Sequence, residues 1–166
     1  MAPRIIVIGP PGAGKTTVGT LVAQRLGATF RDTDTDVERV AGKPITDIFV
    51  EDGEPAFRAL ERAAVAAALT EHDGVLALGG GAVVAAENRA LLAGHLVVFL
   101  DVGLADAVSR VGLNRDRPLL LESPRSQLKR LLDDRRPVYV EAATVTVDTG
   151  GRDPEDIADE VVKHVR

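Results

Sequence analysis

A chain of 166 residues, 45% hydrophobic and 27% charged, has the size and composition of one globular domain with a real core. Its formal net charge of -5 argues against a nucleic-acid backbone as the main partner, and the absence of cysteine excludes disulfides and thiolate metal sites. The apolar run after Met-Ala-Pro-Arg is too short for a signal peptide or a membrane span, so a cytoplasmic enzyme or binding domain without membrane attachment is expected.

Short β-rich runs alternate with longer helical patterns along the chain, which predicts an α/β fold with a parallel sheet and right-handed crossovers. The first predicted strand, Arg4–Ile8, leads into Gly9-Pro10-Pro11-Gly12-Ala13-Gly14-Lys15-Thr16, which satisfies the phosphate-loop pattern G-x-x-x-x-G-K-[ST]. Glycines let such a loop turn its amide hydrogens onto a phosphate, and the helix that follows adds the positive end of its dipole. That helix is predicted over Lys15–Leu26, with Val18, Leu21, Val22 and Leu26 at helical spacing and Gly27 ending it. In this arrangement Lys15 reaches the β- and γ-phosphates of a nucleotide, and the Thr16 hydroxyl holds Mg²⁺.

A second strand, Ala28–Arg31, precedes Asp32-Thr33-Asp34. If the backbone stays extended there, Asp32 and Asp34 face one site, one for the metal and one for an acceptor hydroxyl. The plainer alternative makes Asp34 the cap of a helix whose inner face carries Val37 and Val40. Asp101, after the apolar run Val97–Leu100, competes for the metal role. A helix over Pro55–Leu69 is expected to place Phe57, Leu60, Ala64 and Ala67 on one face, and Glu54, Arg58, Glu61 and Arg62 on another. For Arg58 the plain reading is a helix-surface pair with Glu54 or Glu61.

The third strand, Val75–Leu78, runs into Gly79-Gly80-Gly81, either a turn or a close backbone approach to a ligand at the edge where α/β proteins bind substrates. Leu96–Leu100 and Thr144–Val147 complete the five strands. Gly112–Pro124 has no clear period and reads as a long loop, and the last helix starts from Asp153 as cap with Pro154 in its first turn.

Taken in order, these motifs resemble the shikimate kinases over essentially the whole chain: Gly9–Thr16, Asp32-Thr33-Asp34, Ile48-Phe49 with Gly53-Glu54 and Phe57-Arg58, Gly79–Gly81, Arg117-Pro118-Leu119-Leu120, and Arg135-Arg136-Pro137-Val138-Tyr139. The resemblance implies a single P-loop kinase domain over 1–166: a three-layer sandwich with a five-stranded parallel sheet in the order 2-3-1-4-5. It also implies a substrate-binding region at about 33–61 and a lid at about 112–124. Activity would be transfer of the ATP γ-phosphoryl to the 3-hydroxyl of shikimate, with Mg²⁺.

The same resemblance implies roles residue by residue. Asp34 binds the acceptor hydroxyl and serves as base, with Lys15 and Arg117 completing the catalytic set. Asp32 supports the metal through water beside Thr16, in preference to Asp101. Gly12, Ala13, Gly14, Lys15, Thr16, Thr17, Arg110, Arg117, Arg152 and Pro154 contact ATP. Phe49, Phe57, Arg58, Gly79, Gly80, Gly81 and Arg135 join Asp34 around shikimate, and the register set by Pro137 and Tyr139 selects Arg135 over Arg136 for the carboxylate. An aspartate of ordinary pKa is expected to suffice as base. A monomer is expected. The rival readings are another small-molecule kinase, of gluconate or nucleoside-monophosphate type, and a nucleotide-binding module without turnover.

Overall fold

The computed structural model describes residues 2–111 and 124–165. Five strands, β1 (Ile5–Ile8), β2 (Phe30–Asp32), β3 (Val75–Ala77), β4 (Val97–Asp101) and β5 (Val145–Asp148), form one sheet in the order β2-β3-β1-β4-β5. Every neighbouring pair is parallel, so the chain must return across a face of the sheet between strands. The returns carry the helices α1 (Lys15–Leu26), α2 (Thr33–Ala41), α3 (Ile45–Glu51), α4 (Glu54–Glu71), α5 (Ala86–Leu91), α6 (Leu104–Val111), α7 (Pro124–Ala142) and α8 (Pro154–Val162). This is the predicted fold class and strand order. The lid expected at 112–124, with Arg117, lies outside the described residues except for Pro124, which opens α7.

Alternation along the strands makes the three layers. Ile5 and Val7 face a layer with Val18 and Val22 of α1 and Ile157 and Val161 of α8. Ile6 and Ile8 face the opposite layer, with Val65, Ala68 and Leu69 of α4 and Tyr139 of α7. A smaller cluster of Val37, Ile48 and Phe57 ties α2, α3 and α4 together beside the sheet. The central strand is wholly buried, which matches its unbroken apolar sequence.

Two helix faces differ from expectation. Of the two valines predicted for the inner face of α2, Val37 is buried while Val40 is 67% exposed. On α4 the buried face is Phe57, Glu61, Val65, Ala68 and Leu69, so an acid predicted for the outer face lies in the interior. The ion pair described below accounts for that burial. Finally, Asp153 caps α8 by accepting a hydrogen bond from the Glu155 N–H, with Pro154 at the first turn, as the sequence predicts.

Candidate active site

The loop between β1 and α1 sits at the carboxyl end of the sheet, with Gly12 at φ 82° and Gly14, the residue capping α1, at φ 89°. These left-handed conformations turn the backbone around a concave space and explain why glycine stands there. Gly12, Gly14, Lys15, Thr16, Thr17, Asp32, Asp34 and Arg110 line one open cavity of about 480 Å³. The Lys15 ammonium donates to the Gly9 carbonyl at 2.7 Å and the Pro10 carbonyl at 3.2 Å. Burial pulls the Lys15 pKa down to about 8, against the raising influence of Asp32 and Asp34.

The two aspartates reach this cavity by a different route from the extended one expected. The helix α2 begins at Thr33, and Asp32 is its cap, accepting from the Asp34 N–H at 2.9 Å. The cap is therefore Asp32, not Asp34, and Asp34 sits in the first turn with its carboxylate turned toward Gly79. Burial raises the pKa of both acids. For Asp34 the charges of Asp32 and Glu61 add to burial, and its pKa rises to about 6, which corrects the expectation of an ordinary aspartate. Asp101 is elsewhere. It accepts from Arg136 Nη2 at 2.9 Å and Nε at 3.2 Å and does not line the phosphate cavity.

The glycine run is packed so closely that side chains have no room. A Cβ on Gly79 would collide with the Asp34 carboxylate, and one on Gly81 would stand 2.7 Å from Arg58 Nη1. Arg58 is held by Glu61, which accepts from its Nη1 at 2.8 Å, and more loosely by Glu54 at 3.5 Å, so the plain helix pair exists as well. Glu61 is 2% exposed, and a buried carboxylate needs such a partner. Arg58 and Arg135 line a second cavity of about 480 Å³ together with Gly81 and Arg62. Arg136, by contrast, is committed to Asp101. Phe57 is buried and packs against the partly exposed Phe49, ring centres 4.8 Å apart and tilted by 34°, and the Arg58 guanidinium lies 5.1 Å from the Phe57 ring centre.

On the other side of the phosphate loop, Arg110 Nη1 donates to the Gly12 carbonyl at 3.0 Å and the Ala13 carbonyl at 3.3 Å, while its Nη2 donates to the Thr149 carbonyl at 3.3 Å. Arg152 is turned onto the Asp148 carbonyl at 2.8 Å and Glu160 at 2.9 Å, and does not line the phosphate cavity. Pro154 lies in the same segment, at the start of α8.

Three residues organise the site beyond what the sequence assigned: Thr33 and Tyr139, given no contact there, and Glu61, expected only as a surface partner of Arg58. Thr33 is fully buried, and its hydroxyl accepts from the Gly79 N–H at 3.0 Å, fastening the aspartate segment to the glycine run. Glu61 holds Arg58, and Tyr139 donates a hydrogen bond to the Gly80 carbonyl. Helical spacing puts Glu61 one turn from Phe57, a signal of burial that its charge obscured.

Thr16 and Asp32 share the phosphate cavity, and among the described residues no group of three or more His, Asp or Glu could hold a metal alone. A hydroxyl beside a half-buried carboxylate suits a hard divalent cation that takes its other ligands from phosphate oxygens and water. Among the described residues no helix is long and apolar enough to cross a membrane.

Comparison with known proteins agrees with this geometry. A sequence profile described as shikimate kinase matches residues 11–166. A shikimate kinase of Salinispora arenicola is 62% identical over 161 residues, covering 97% of this chain and 96% of that protein. One of Frankia casuarinae is 61% identical over 155 residues, covering 93% of this chain and 69% of that protein. The solved structure of the shikimate kinase of Acinetobacter baumannii in complex with shikimate superposes with a TM-score of 0.88 at 37% identity, covering 98% of this chain and 92% of that one. A phosphate loop, a half-buried aspartate pair and two arginines gathered on a glycine run are thus found in a chain that belongs to the shikimate kinase family.

Proposed function

We propose that this chain transfers the γ-phosphoryl group of ATP to the 3-hydroxyl of shikimate, releasing ADP and shikimate 3-phosphate. The observation that carries this reading is the acceptor side: Asp34 lies against Gly79, Arg58 lies against Gly81, and Arg135 lines the same cavity as Arg58. Two guanidinium forks set about a small pocket suit one planar carboxylate, which they would bind by parallel charge-assisted hydrogen bonds. That would present the hydroxyl side of the ring to Asp34.

Asp34 orients the 3-hydroxyl and takes its proton as the oxygen attacks phosphorus and the bond to the ADP oxygen breaks. With a pKa of about 6, the carboxylate is still mostly ionised at neutral pH, yet holds a proton better than an ordinary aspartate. Lys15 leaves its loop carbonyls for the β- and γ-phosphates, and Arg117 of the 112–124 lid offsets charge on the group in flight. A divalent cation, Mg²⁺ in this reading, held by Thr16 and through water by Asp32, would neutralise phosphate charge when bound with ATP. Gly12, Ala13, Gly14 and Thr17 cradle the phosphates, and Arg110, Arg152 and Pro154 flank the adenine. Phe49, Phe57 and Gly80 close the acceptor pocket, and lid closure keeps water from taking the phosphoryl group.

Residues 1–166 act as a single kinase domain, with 33–61 as the acceptor-binding part, working as a monomer. Freedom from cysteine and dependence on ATP suit the cytoplasm. The test is ADP release with ATP, Mg²⁺ and either shikimate, gluconate or no acceptor. Shikimate-dependent release is expected; release that follows gluconate, or that ignores shikimate, would overturn the reading.

A further inference from the structure

Phosphoryl transfer as described leaves Tyr139 without a task. The residue is 1% exposed and stands one helical turn beyond Arg135 on α7. Its ring stacks on Phe99 of β4, with centroids 5.0 Å apart. A phenylalanine would fill that space equally well, so the packing alone does not account for a hydroxyl. The hydroxyl donates to the Gly80 carbonyl, in the middle of the glycine run. Burial pushes its pKa up, and the Arg135 guanidinium beside it pulls the other way.

A phenolic oxygen has one proton and two lone pairs, so it can give its hydrogen to Gly80 and still receive a guanidinium N–H. The polar path continues past it. Gly79 donates to Thr33 Oγ1 at 3.0 Å, and Thr33 opens the helix that carries Asp34. Arg58 and Arg135 therefore have different holders. Arg58 leans on the carboxylate of Glu61, whereas Arg135 stands one turn before Tyr139 on α7, whose hydroxyl ties that helix to the glycine run.

We propose that Tyr139 is a positioning residue for substrate binding: its hydroxyl bond to the Gly80 carbonyl pins α7 to the glycine run and so holds Arg135, one turn earlier on that helix, in register with Arg58 and the Asp34 side of the pocket. The proposal rests on the reading of shikimate as acceptor. Its experiment is steady-state kinetics of Tyr139→Phe, which keeps the ring on Phe99 and removes only the hydroxyl. The expected result is a KM for shikimate raised roughly tenfold, with kcat and the KM for ATP within about twofold of wild type. In an Arg135→Ala background the same substitution should change shikimate binding, read by calorimetry, by less than about twofold, because the group being positioned is gone. An unchanged KM for shikimate, parallel rises for shikimate and ATP, or an equal factor in both backgrounds would overturn the proposal. Wild-type enzyme without shikimate-dependent turnover would instead overturn the functional reading, which separates the two failures.

Discussion

Asp34 carries two testable consequences, one for turnover and one for stability. Asp34→Asn keeps the shape of the first turn of α2 but removes the proton acceptor, so kcat should fall by roughly a hundred- to ten-thousandfold while nucleotide still binds. Equilibrium ATP titration beside the activity assay checks both halves. The folded pKa of about 6 lies above the ordinary 3.8, so the folded state holds the proton more tightly than the unfolded chain does. The resulting stability is complete below pH 4 or so and is lost as pH rises through about 6. In metal- and nucleotide-free protein, Asp34→Asn should therefore raise the melting temperature at about pH 7.5, by a change on the order of 1 kcal/mol given the partial exposure of the group. That gain should vanish toward about pH 4, and thermal melts at the two pH values check it. Among the arginines, Arg135→Ala should raise the KM for shikimate by roughly thirty- to a hundredfold, and Arg136→Ala, which loses only a half-exposed pair with Asp101, by less than about threefold. Kinetics of the two variants side by side decide whether the register set by Pro137 and Tyr139 reports the working guanidinium.

Elements show why some of this was legible in the amino-acid sequence and some was not. The phosphate loop announces itself by glycines at positive φ, and the glycine run by the close approach of Asp34, Pro11 and Arg58. Gly81→Ala should accordingly press on Arg58 and raise the KM for shikimate by about tenfold or more, with the KM for ATP little changed in the same assay. Strands β1, β3 and β4 were legible from their nearly unbroken apolar runs. The helix α7 was not, because Pro137 lies in its interior, where proline normally ends a helix. The start of α2 was misread for a related reason. Two aspartates spaced for one face of a strand also suit a cap and a first turn, and only the observed backbone decides between them. On α4, local sequence assigned Glu61 to solvent. Its burial depends on Arg58 beside it and on the glycine run across from it, which is tertiary information.

At the scale of the whole molecule, a five-stranded parallel sheet brings the ends of β1, β2 and β3 to one edge, so the phosphate loop, the aspartates and the glycine run meet there although they are far apart in sequence. The helices α4 and α7 then bring Arg58 and Arg135 to that edge from two different crossovers. Family order and motif spacing made this convergence expected. The bonds of Thr33 and Tyr139 to the glycine run, and the burial of Glu61 beneath Arg58, became visible only in three dimensions. The central claim is that the bound nucleotide gives its γ-phosphoryl to one hydroxyl of shikimate. Phosphorus–proton correlation NMR of the product formed from ATP, Mg²⁺ and shikimate tests it most directly. One phosphate ester is expected, on the 3-oxygen of shikimate, formed in equal amount to ADP. Free phosphate in place of that ester, or an ester on another oxygen, would contradict it.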